Sequence, residues 1–390
     1  MPRRFLSGPV LAFSLLALAV LFYLGLTGPR WMDLELCYGY ARNFFDGVDS
    51  GLFLSNYPPF ALAYFLLPMF FSSELGGYLG AFEALNLVLF AATLWLVYAF
   101  AKERKADAFA AAMKYAVLAV PLTNIFLWRY DLLPALLAFA AAFLFLKGRR
   151  SLGFSVLLVA GGLKIFPLLL LPLFFLAYRG SGRRALAKDF LPPAAVVTVL
   201  YFLAAHVLAS GRSLFDILFF NLGRYVEIES VYSSVVLAVG SFVPSLRPET
   251  VTALSVDVRF PLESGVMLLS TALMAAALLA VYWSAYRSGK SVEKELPSWC
   301  ALALLAFLLT TKVFSVQYVL WLAPFLPFCL PKDRRFFALC AAAFFLSALV
   351  CPYLFRALVA QEPLAIAVLL LRNVLLAAVF VRLFQSLRKT

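Results

Sequence analysis

Charge and histidine are both scarce in this sequence. Charged residues make up 14% of its 390 positions, whereas soluble globular domains carry about 25%. This scarcity excludes an ordinary soluble domain. His206 is the only histidine, which excludes a metal site built from clustered imidazoles. It lies in an apolar stretch near a predicted helix end, where we expect it to be packed or interfacial.

Cysteine is rare too, and its spacing is not that of a metal site or a disulfide framework. The five cysteines lie mostly inside apolar runs: Cys37, Cys300, Cys329, Cys340 and Cys351. Cysteines in such surroundings act as small hydrophobic side chains. We therefore expect neither disulfides nor a bound metal. The sequence also lacks a nucleotide-binding motif.

Hydrophobic residues, by contrast, are abundant. They make up 64% of the chain, and Phe alone occurs 40 times. The few polar residues cannot cover so much apolar surface, so the solvent must be lipid. The net charge is +13, and in membrane proteins Lys and Arg concentrate in cytoplasmic loops. We therefore predict a multi-pass integral membrane protein in contact with membrane lipids, without a nucleic-acid partner.

The basic clusters predict how the chain crosses the membrane. Seven clusters separate the apolar runs, at residues 3–4, 102–105, 147–150, 179–188, 287–294, 332–335 and 382–389. Placing all seven in the cytoplasm requires an even number of crossings between neighbours. The result is a single all-α transmembrane domain over residues 1–390, with about 12 spans and both termini cytoplasmic. It leaves a first outer loop at 28–77, with juxtamembrane helices, and a long outer segment at 210–262.

Two apolar runs contain a lysine near the middle and basic residues at both ends. They cover residues 152–178, with Lys164, and 297–331, with Lys312. A single long helix would put one basic flank outside, against the charge rule. Two short helices in each run satisfy the rule. Each lysine would then lie in a cavity within the membrane, where an ionisable residue marks a functional site by default.

The uncommon polar residues converge on the predicted outer face. They are Asp33, Glu35, Tyr38, Arg42, Asp46, Asp49, Tyr57, Arg129, Asp131, Lys164, Arg224, Glu227, Glu229, Lys312, Gln317 and Tyr318. The cations suit a lipid phosphate, and a carboxylate beside them suits proton abstraction from a hydroxyl. Asp46 and Asp49 are more typical of a solvated loop. For Arg224 and Glu229 a structural salt bridge and a ligand role stay equally open, and Asp33 does not stand out from its neighbours.

Short motifs share this outer placement. They are Asp33 to Tyr38 followed by Asn56 to Pro59, Arg129 to Asp131, Gly161 to Pro167, Arg224 to Ser230, and Lys312 to Trp321. In order and placement these motifs resemble the GT-C membrane glycosyltransferases that use polyprenyl-phosphate sugars. The resemblance is to glycosyltransferase family 87 in particular, which includes mannosyltransferases. It extends over nearly the whole chain.

The resemblance implies an inverting transfer of a sugar, commonly mannose, from a polyprenyl phosphate to a glycolipid or glycan acceptor. It puts the reaction at the outer face of the cytoplasmic membrane, without a cofactor or metal. Asp33 matches the position of the catalytic base, and Lys164, Arg224 and Lys312 would stabilise the phosphate leaving group. The implied substrate-binding residues are Glu35, Tyr38, Arg42, Tyr57, Arg129, Asp131, Lys164, Arg224, Glu229, Lys312, Gln317 and Tyr318.

A transporter or flippase for a lipid-linked saccharide is the main alternative, since it would share the cavity and the cations. Transporters often contain internal repeats with broken helices in corresponding halves. The runs 152–178 and 297–331 are both broken, but the two halves share no sequence similarity. A non-catalytic assembly partner is a third alternative, against which the intramembrane lysines argue. The sequence does not indicate the acceptor or the oligomeric state.

Overall fold

The computed structural model describes residues 8–28, 33–48, 57–178, 182–209, 214–252, 255–289 and 291–389. Most of this part of the chain is helical. Its first half contains α1 (Gly8–Thr27), α2 (Asp33–Phe45), α3 (Pro59–Leu66), α4 (Leu75–Glu103), α5 (Ala108–Ala119), α6 (Thr123–Trp128), α7 (Leu132–Leu146), α8 (Arg150–Leu163) and α9 (Leu171–Ala177). Short 3-10 turns lie at Leu67–Phe70, Val120–Leu122 and Phe166–Leu170.

The second half adds a small sheet to the helices. Its helices are α10 (Arg183–Leu208), α11 (Leu214–Gly223), α12 (Val231–Phe242), α13 (Glu263–Ser288), α14 (Ser291–Lys294), α15 (Leu296–Thr310), α16 (Arg334–Ala348), α17 (Phe355–Val359) and α18 (Pro363–Leu387). The strands are β1 (Val226–Glu227), β2 (Glu249–Thr252) and β3 (Val256–Arg259). Further 3-10 turns lie at Pro244–Leu246, Val316–Trp321 and Leu326–Phe328, and a π turn lies at Leu349–Tyr353.

Six helical segments of the described chain are long and apolar enough to cross a membrane. They are α4, α5 with α6, α10, α13, α16 with the π turn, and α18. Other apolar helices have 10–17 residues, fewer than the roughly 20 residues that a straight crossing requires. This architecture agrees with an all-α membrane protein. It does not confirm the predicted count of about 12 spans.

Five of the seven predicted cytoplasmic clusters lie near one another in the described part of the chain. Contacts between them join Arg104 to the Lys294 carbonyl, Lys147 to Glu103, Arg150 to Glu293, Lys114 to the Pro331 carbonyl, and Arg382 to Asp333. Asp333 also caps α16 by accepting from the Phe336 backbone N–H at 3.0 Å. A carboxylate at this position satisfies a backbone N–H that the helix itself leaves unpaired. These five clusters thus lie on one side of the described helices, and the cluster at residues 3–4 lies outside the described residues.

The first lysine-containing run turns back on itself, as predicted. α8 ends at Leu163, Lys164 is extended, and a 3-10 turn leads into α9. Phe154, in the first turns of α8, packs against Phe174 and Tyr178 at the far end of the run, with ring centroids 6.1 and 6.4 Å away. The two ends of the run therefore lie side by side, and Lys164 lies at the turn between them.

The second run has a similar form. α15 ends before the non-helical residues 311–315, and two 3-10 turns follow. Phe307, in the last turns of α15, stacks on Trp321 with ring centroids 6.2 Å apart. α15 also packs against the second 3-10 turn. Lys312 lies in the break, so this run too consists of short segments that meet at a lysine.

The predicted outer segments contain short elements. The loop at 28–77 includes α2, α3 and a 3-10 turn, which agrees with the expected juxtamembrane helices. The segment at 210–262 contains an antiparallel sheet of order β1-β3-β2 that the sequence did not lead us to predict. In it Val258 pairs with Val226 on one side and Thr250 on the other.

Two smaller predictions can be compared with the structure. All five cysteines are free, and all except the half-buried Cys351 are buried, as expected of small hydrophobic side chains. His206 is exposed on α10. It is therefore not packed in the interior, and the expected interfacial position stays a prediction.

Candidate functional site

Three breaks in the helices meet at one buried carboxylate. Asp131 follows the break between α6 and α7 and is only 1% exposed. Its Oδ1 accepts a hydrogen bond from Lys164 Nζ (2.6 Å) and another from Trp321 Nε1 (2.7 Å). Lys164 belongs to the first hairpin and Trp321 to the second. Sequence segments far apart in the chain thus meet at Asp131.

The Lys164 ammonium is also surrounded by aromatic rings. Its Nζ lies 4.9 Å from the ring centroid of Tyr130, 4.8 Å from that of Tyr318 and 5.2 Å from that of Trp321. Ring faces attract cations because they carry partial negative charge. The carboxylate and the rings together offset the cost of removing the ammonium from water. Lys164 is therefore held in one position at the turn of its hairpin.

A second group of contacts joins the outer segment to the hairpin of α15. The Glu227 backbone N–H donates to the Lys312 carbonyl at 3.0 Å, and Ser315 Oγ donates to Glu227 Oε1 at 2.6 Å. Glu229 Oε2 accepts from the Val316 backbone N–H at 3.3 Å. Burial, reinforced by the charge of Glu227, raises the pKa of Glu229 to about 7. Two buried carboxylates therefore lie beside the break that contains Lys312.

Arg224 and Lys312 are both engaged within the protein. Arg224 Nη2 donates to Ser255 Oγ at 2.8 Å and lies 3.8 Å from Glu227 Oε1. Lys312 Nζ donates to the Leu222 carbonyl at 2.7 Å. For Arg224 the structure thus supplies a salt bridge, one of the two alternatives left open by the sequence, and its partner is Glu227.

A small cavity lies where these segments meet. Its volume is about 30 Å³, and its walls include Leu34, Cys37, Tyr57, Arg129, Tyr130, Asp131, Lys164 and Gln317. Tyr57 packs against Tyr130 with ring centroids 5.6 Å apart. We call this space the inner cavity. It contains five of the predicted substrate-binding residues: Tyr57, Arg129, Asp131, Lys164 and Gln317.

Other predicted residues lie away from the inner cavity. Glu35 is exposed on α2. Tyr38 OH donates to the Ser73 carbonyl at 2.9 Å and accepts from Arg42 Nη1 at 3.2 Å, and Arg42 lies 3.6 Å from Asp46. These contacts belong to a separate, larger groove at the other end of α2. The structure therefore divides the predicted site into two places.

The predicted catalytic residue is the first residue of α2. Asp33 begins this helix, and the next residue, Leu34, lines the inner cavity. The side chain of Asp33, and the whole of Asp49, lie outside the part of the chain that the structure describes. The described residues contain no cluster of three or more His, Cys, Asp or Glu side chains that could bind a metal ion.

Several residues of this region were not predicted from the sequence. Trp321 was quoted only as part of a motif, and Glu227 was not included among the binding residues. Arg372 was missed altogether, although it lies in the middle of the apolar α18 and is fully buried. Its Nη2 donates to the Glu229 carbonyl at 2.7 Å. The signal was available, since a charge inside an apolar span is itself a functional-site indication.

The fold and this polar cluster define an all-α membrane protein with charged groups buried at the turns of two helical hairpins. No family model matches the chain, and no curated protein matches it.

Proposed function

We propose that this chain is an inverting glycosyltransferase. It moves a sugar, with mannose as the first to test, from a polyprenyl-phosphate donor to a membrane-associated glycolipid or glycan acceptor. The observation that carries the proposal is the inner cavity, where Lys164 and Arg129 line the same space as the buried Asp131. Cations held in this way can bind the phosphate of a lipid-linked donor.

The cations match the charge of the leaving group. When the bond between the anomeric carbon and the phosphate oxygen breaks, its electron pair stays on the phosphate. Lys164 has three N–H donors, of which Asp131 takes one. Arg129 adds a guanidinium to the same cavity, and guanidinium groups bind phosphate oxygens in pairs. Arg224 and Lys312 approach from the outer segment and the second hairpin, and they add positive charge to this region.

Asp33 is the proposed base because of its place on α2. The helix starts at Asp33, and Leu34 and Cys37 on its first turns line the inner cavity. In the reaction the acceptor hydroxyl gives its proton to the Asp33 carboxylate. The oxygen of the acceptor hydroxyl then forms a bond to the anomeric carbon as the polyprenyl phosphate leaves from the opposite face. Atoms and charges balance without a cofactor or metal.

The shared face of the basic clusters supports an outward-facing site. The charge rule assigns these clusters to the cytoplasmic side. Lys164 and Lys312 lie at the turns of the hairpins, away from that face. We therefore propose that the site opens towards the outer side of the cytoplasmic membrane, with both termini inside. A lipid-linked donor would reach it from the bilayer, and the inner cavity, at about 30 Å³, would have to widen to admit the phosphate.

The proposal is tested with purified protein in lipid nanodiscs. Nanodiscs that contain polyprenyl-phosphate mannose, or in parallel polyprenyl-phosphate arabinose, are incubated with extracted membrane glycolipids, and donor and products are followed by mass spectrometry. We expect Asp33→Asn to abolish transfer while donor binding and folding persist. Asp49→Asn, in the same outer loop, is the matched control and should keep its activity.

Full turnover by Asp33→Asn would remove Asp33 from the role of base. A second assay distinguishes the transporter alternative. Movement of a fluorescent lipid-linked saccharide across a vesicle membrane, with no glycosyl product from any donor, would support a flippase and contradict the proposed transferase.

A further inference from the structure

A large groove lies at the end of α2 that is remote from Asp33. Its volume is about 800 Å³, within the range of roughly 300–1,000 Å³ typical of small-ligand sites. We call it the outer groove. Its polar walls come from Tyr38, Arg42 and Asp46 on and after α2 and from Glu74 at the start of α4. The inner cavity, at about 30 Å³, has room for little more than one water molecule.

The charges of the outer groove differ in sign from those of the inner cavity. Arg42 is the one cation among the described residues that line it, and it lies 3.6 Å from Asp46. Glu74 adds a second carboxylate. Carboxylates repel a phosphate, so an anionic head group is disfavoured here. Two carboxylates, a guanidinium and a phenol instead offer alternating acceptors and donors, which match the neighbouring hydroxyls of a neutral sugar.

Aromatic rings complete the groove. Phe45 and Phe70 line it, and their rings meet edge to face with centroids 5.9 Å apart. Phe70 and the adjacent Phe71 are each 74% exposed. Flat apolar rings beside polar groups suit the C–H faces of a sugar. Exposed Phe side chains at a membrane surface suit contact with lipid chains.

α2 connects the outer groove with the proposed base. Tyr38 and Arg42 lie one turn apart on this helix and face the groove, whereas Leu34 and Cys37 line the inner cavity. From Asp33 to Arg42 the helix axis rises about 14 Å. A molecule whose sugars occupy the groove could extend along α2 and present a hydroxyl near Asp33.

We propose that the outer groove binds the acceptor of the transfer reaction, and that the acceptor is a glycolipid with a neutral saccharide head group. The sugars contact Asp46, Glu74 and Arg42, and the lipid chain lies against Phe70 and Phe71. The role of the bound glycolipid as acceptor rests on the proposed function. Binding of a neutral glycolipid to the groove can be tested without it.

The binding test uses a diazirine-bearing alkyl glucoside as the probe. The full-length protein is purified in a detergent without sugar, placed in nanodiscs and photolabelled, and the labelled peptides are mapped by mass spectrometry. We expect labelling of the peptides that contain Tyr38 to Asp46 and Met69 to Leu75. Losing one charged hydrogen bond typically weakens binding about tenfold, so Glu74→Gln and Asp46→Asn should each lower labelling by about that factor.

Matched controls keep this test specific. Glu249→Gln removes an exposed carboxylate on β2, far from the groove in sequence, and should leave labelling unchanged. Excess alkyl glucoside should compete with the probe, and phosphatidylglycerol should not. Equal labelling in all variants, or displacement by phosphatidylglycerol, would overturn the proposal.

A kinetic test links the groove to transfer. Glu74→Gln should raise the KM for a neutral glycolipid acceptor about tenfold while kcat and the KM for the donor stay the same. An equal rise in donor KM would contradict a separate acceptor site. If the wild-type protein transfers no sugar from any donor, the proposed function fails, whereas the labelling result still decides whether the groove binds a saccharide.

Discussion

The two lysine-containing hairpins share a sequence pattern but not a chemical environment. In each, an apolar run with basic flanks breaks at a central lysine. Lys164 forms an ion pair with Asp131 and is surrounded by three rings. Lys312 donates instead to the Leu222 backbone carbonyl. The same pattern thus leads to a buried ion pair in one hairpin and to a hydrogen bond with a backbone carbonyl in the other.

This difference predicts different losses of stability when each lysine loses its partner. Removing one partner of a buried ion pair leaves an uncompensated charge, which costs about 3–5 kcal/mol. Removing an amine from a backbone carbonyl costs less, since the lysine's own burial cost disappears with it. Three variants test this comparison in order of decreasing expected loss of stability, and a fourth tests how stability at the second hairpin depends on pH.

Breaking the first ion pair should have the largest effect on stability. Asp131→Asn leaves the Lys164 ammonium without its carboxylate, so we expect a loss of about 3–5 kcal/mol in the free energy of unfolding. Denaturant titration in mixed micelles measures it. The double variant Asp131→Asn with Lys164→Met should regain part of the loss, because no charge is left unpaired. A single variant as stable as the wild type would contradict the ion pair.

The hydrogen bond from Trp321 should have the next largest effect. Trp321→Phe keeps an aromatic ring between Phe166 and Tyr318 but removes the N–H that binds Asp131. Hydrogen bonds to charged groups contribute about 1.5–3 kcal/mol, and we expect a loss of stability in this range.

Trp299→Phe is the matched control for this variant. Trp299 is equally buried, and its Nε1 has no hydrogen-bond partner among the described residues. Its replacement should therefore cost less than that of Trp321. Equal losses in the two variants would assign the effect to ring size and not to the hydrogen bond.

The second lysine should matter less for stability than the first. Lys312→Met removes a charged hydrogen bond to a carbonyl, which contributes about 1.5–3 kcal/mol. It also removes the cost of burying the ammonium, so we expect a net loss of about 1 kcal/mol. Lys164→Met is the matched variant in the other hairpin, and it should cost more because it leaves Asp131 unpaired. The same denaturant titration measures both. A larger loss for Lys312→Met would reverse the comparison between the hairpins.

The last prediction concerns the pH dependence of stability at the second hairpin, which is measured as a slope and not as a loss of stability at one pH. Burial raises the pKa of Glu229 from 4.5 to about 7, so the folded protein binds this proton more tightly than the unfolded chain. Stability should therefore fall as the pH rises from about 4.5 to about 7. Glu229→Gln should flatten this slope in thermal unfolding scans, whereas Glu249→Gln should not. An unchanged slope in Glu229→Gln would show that other groups cause the pH dependence of stability.

The turns of both hairpins could be predicted from the sequence because the charge rule is local. Basic residues at both ends of a run, and a lysine inside it, are visible without any knowledge of tertiary contacts. The gathering of Arg129, Asp131 and Lys164 followed from the same topology. The partners could not be predicted, since Trp321 and Asp131 are far apart in the chain and tryptophan in an apolar run is unremarkable by itself.

Other parts of the site needed the structure for a different reason. Most of the predicted first-loop residues lie on or just after one short helix, and from the sequence we expected them to form one site. In the structure that helix has Leu34 and Cys37 at the inner cavity and Tyr38 and Arg42 at the outer groove. Cys37 and Tyr38 were separated because successive side chains of a helix point in different directions. Leu34 and Arg42 were separated because they lie about 12 Å apart along the helix axis.

Composition and charge placement alone determined that this is a membrane protein, where its chain turns, and which polar residues are unusual. These properties depend on transfer of side chains between water and lipid, which each segment undergoes by itself. Tertiary structure alone decided which carboxylate neutralises which lysine, that Arg372 supports the outer segment, and that α2 borders two cavities. Those outcomes depend on the mutual distance of groups remote in sequence, and only the packed helices bring these groups together.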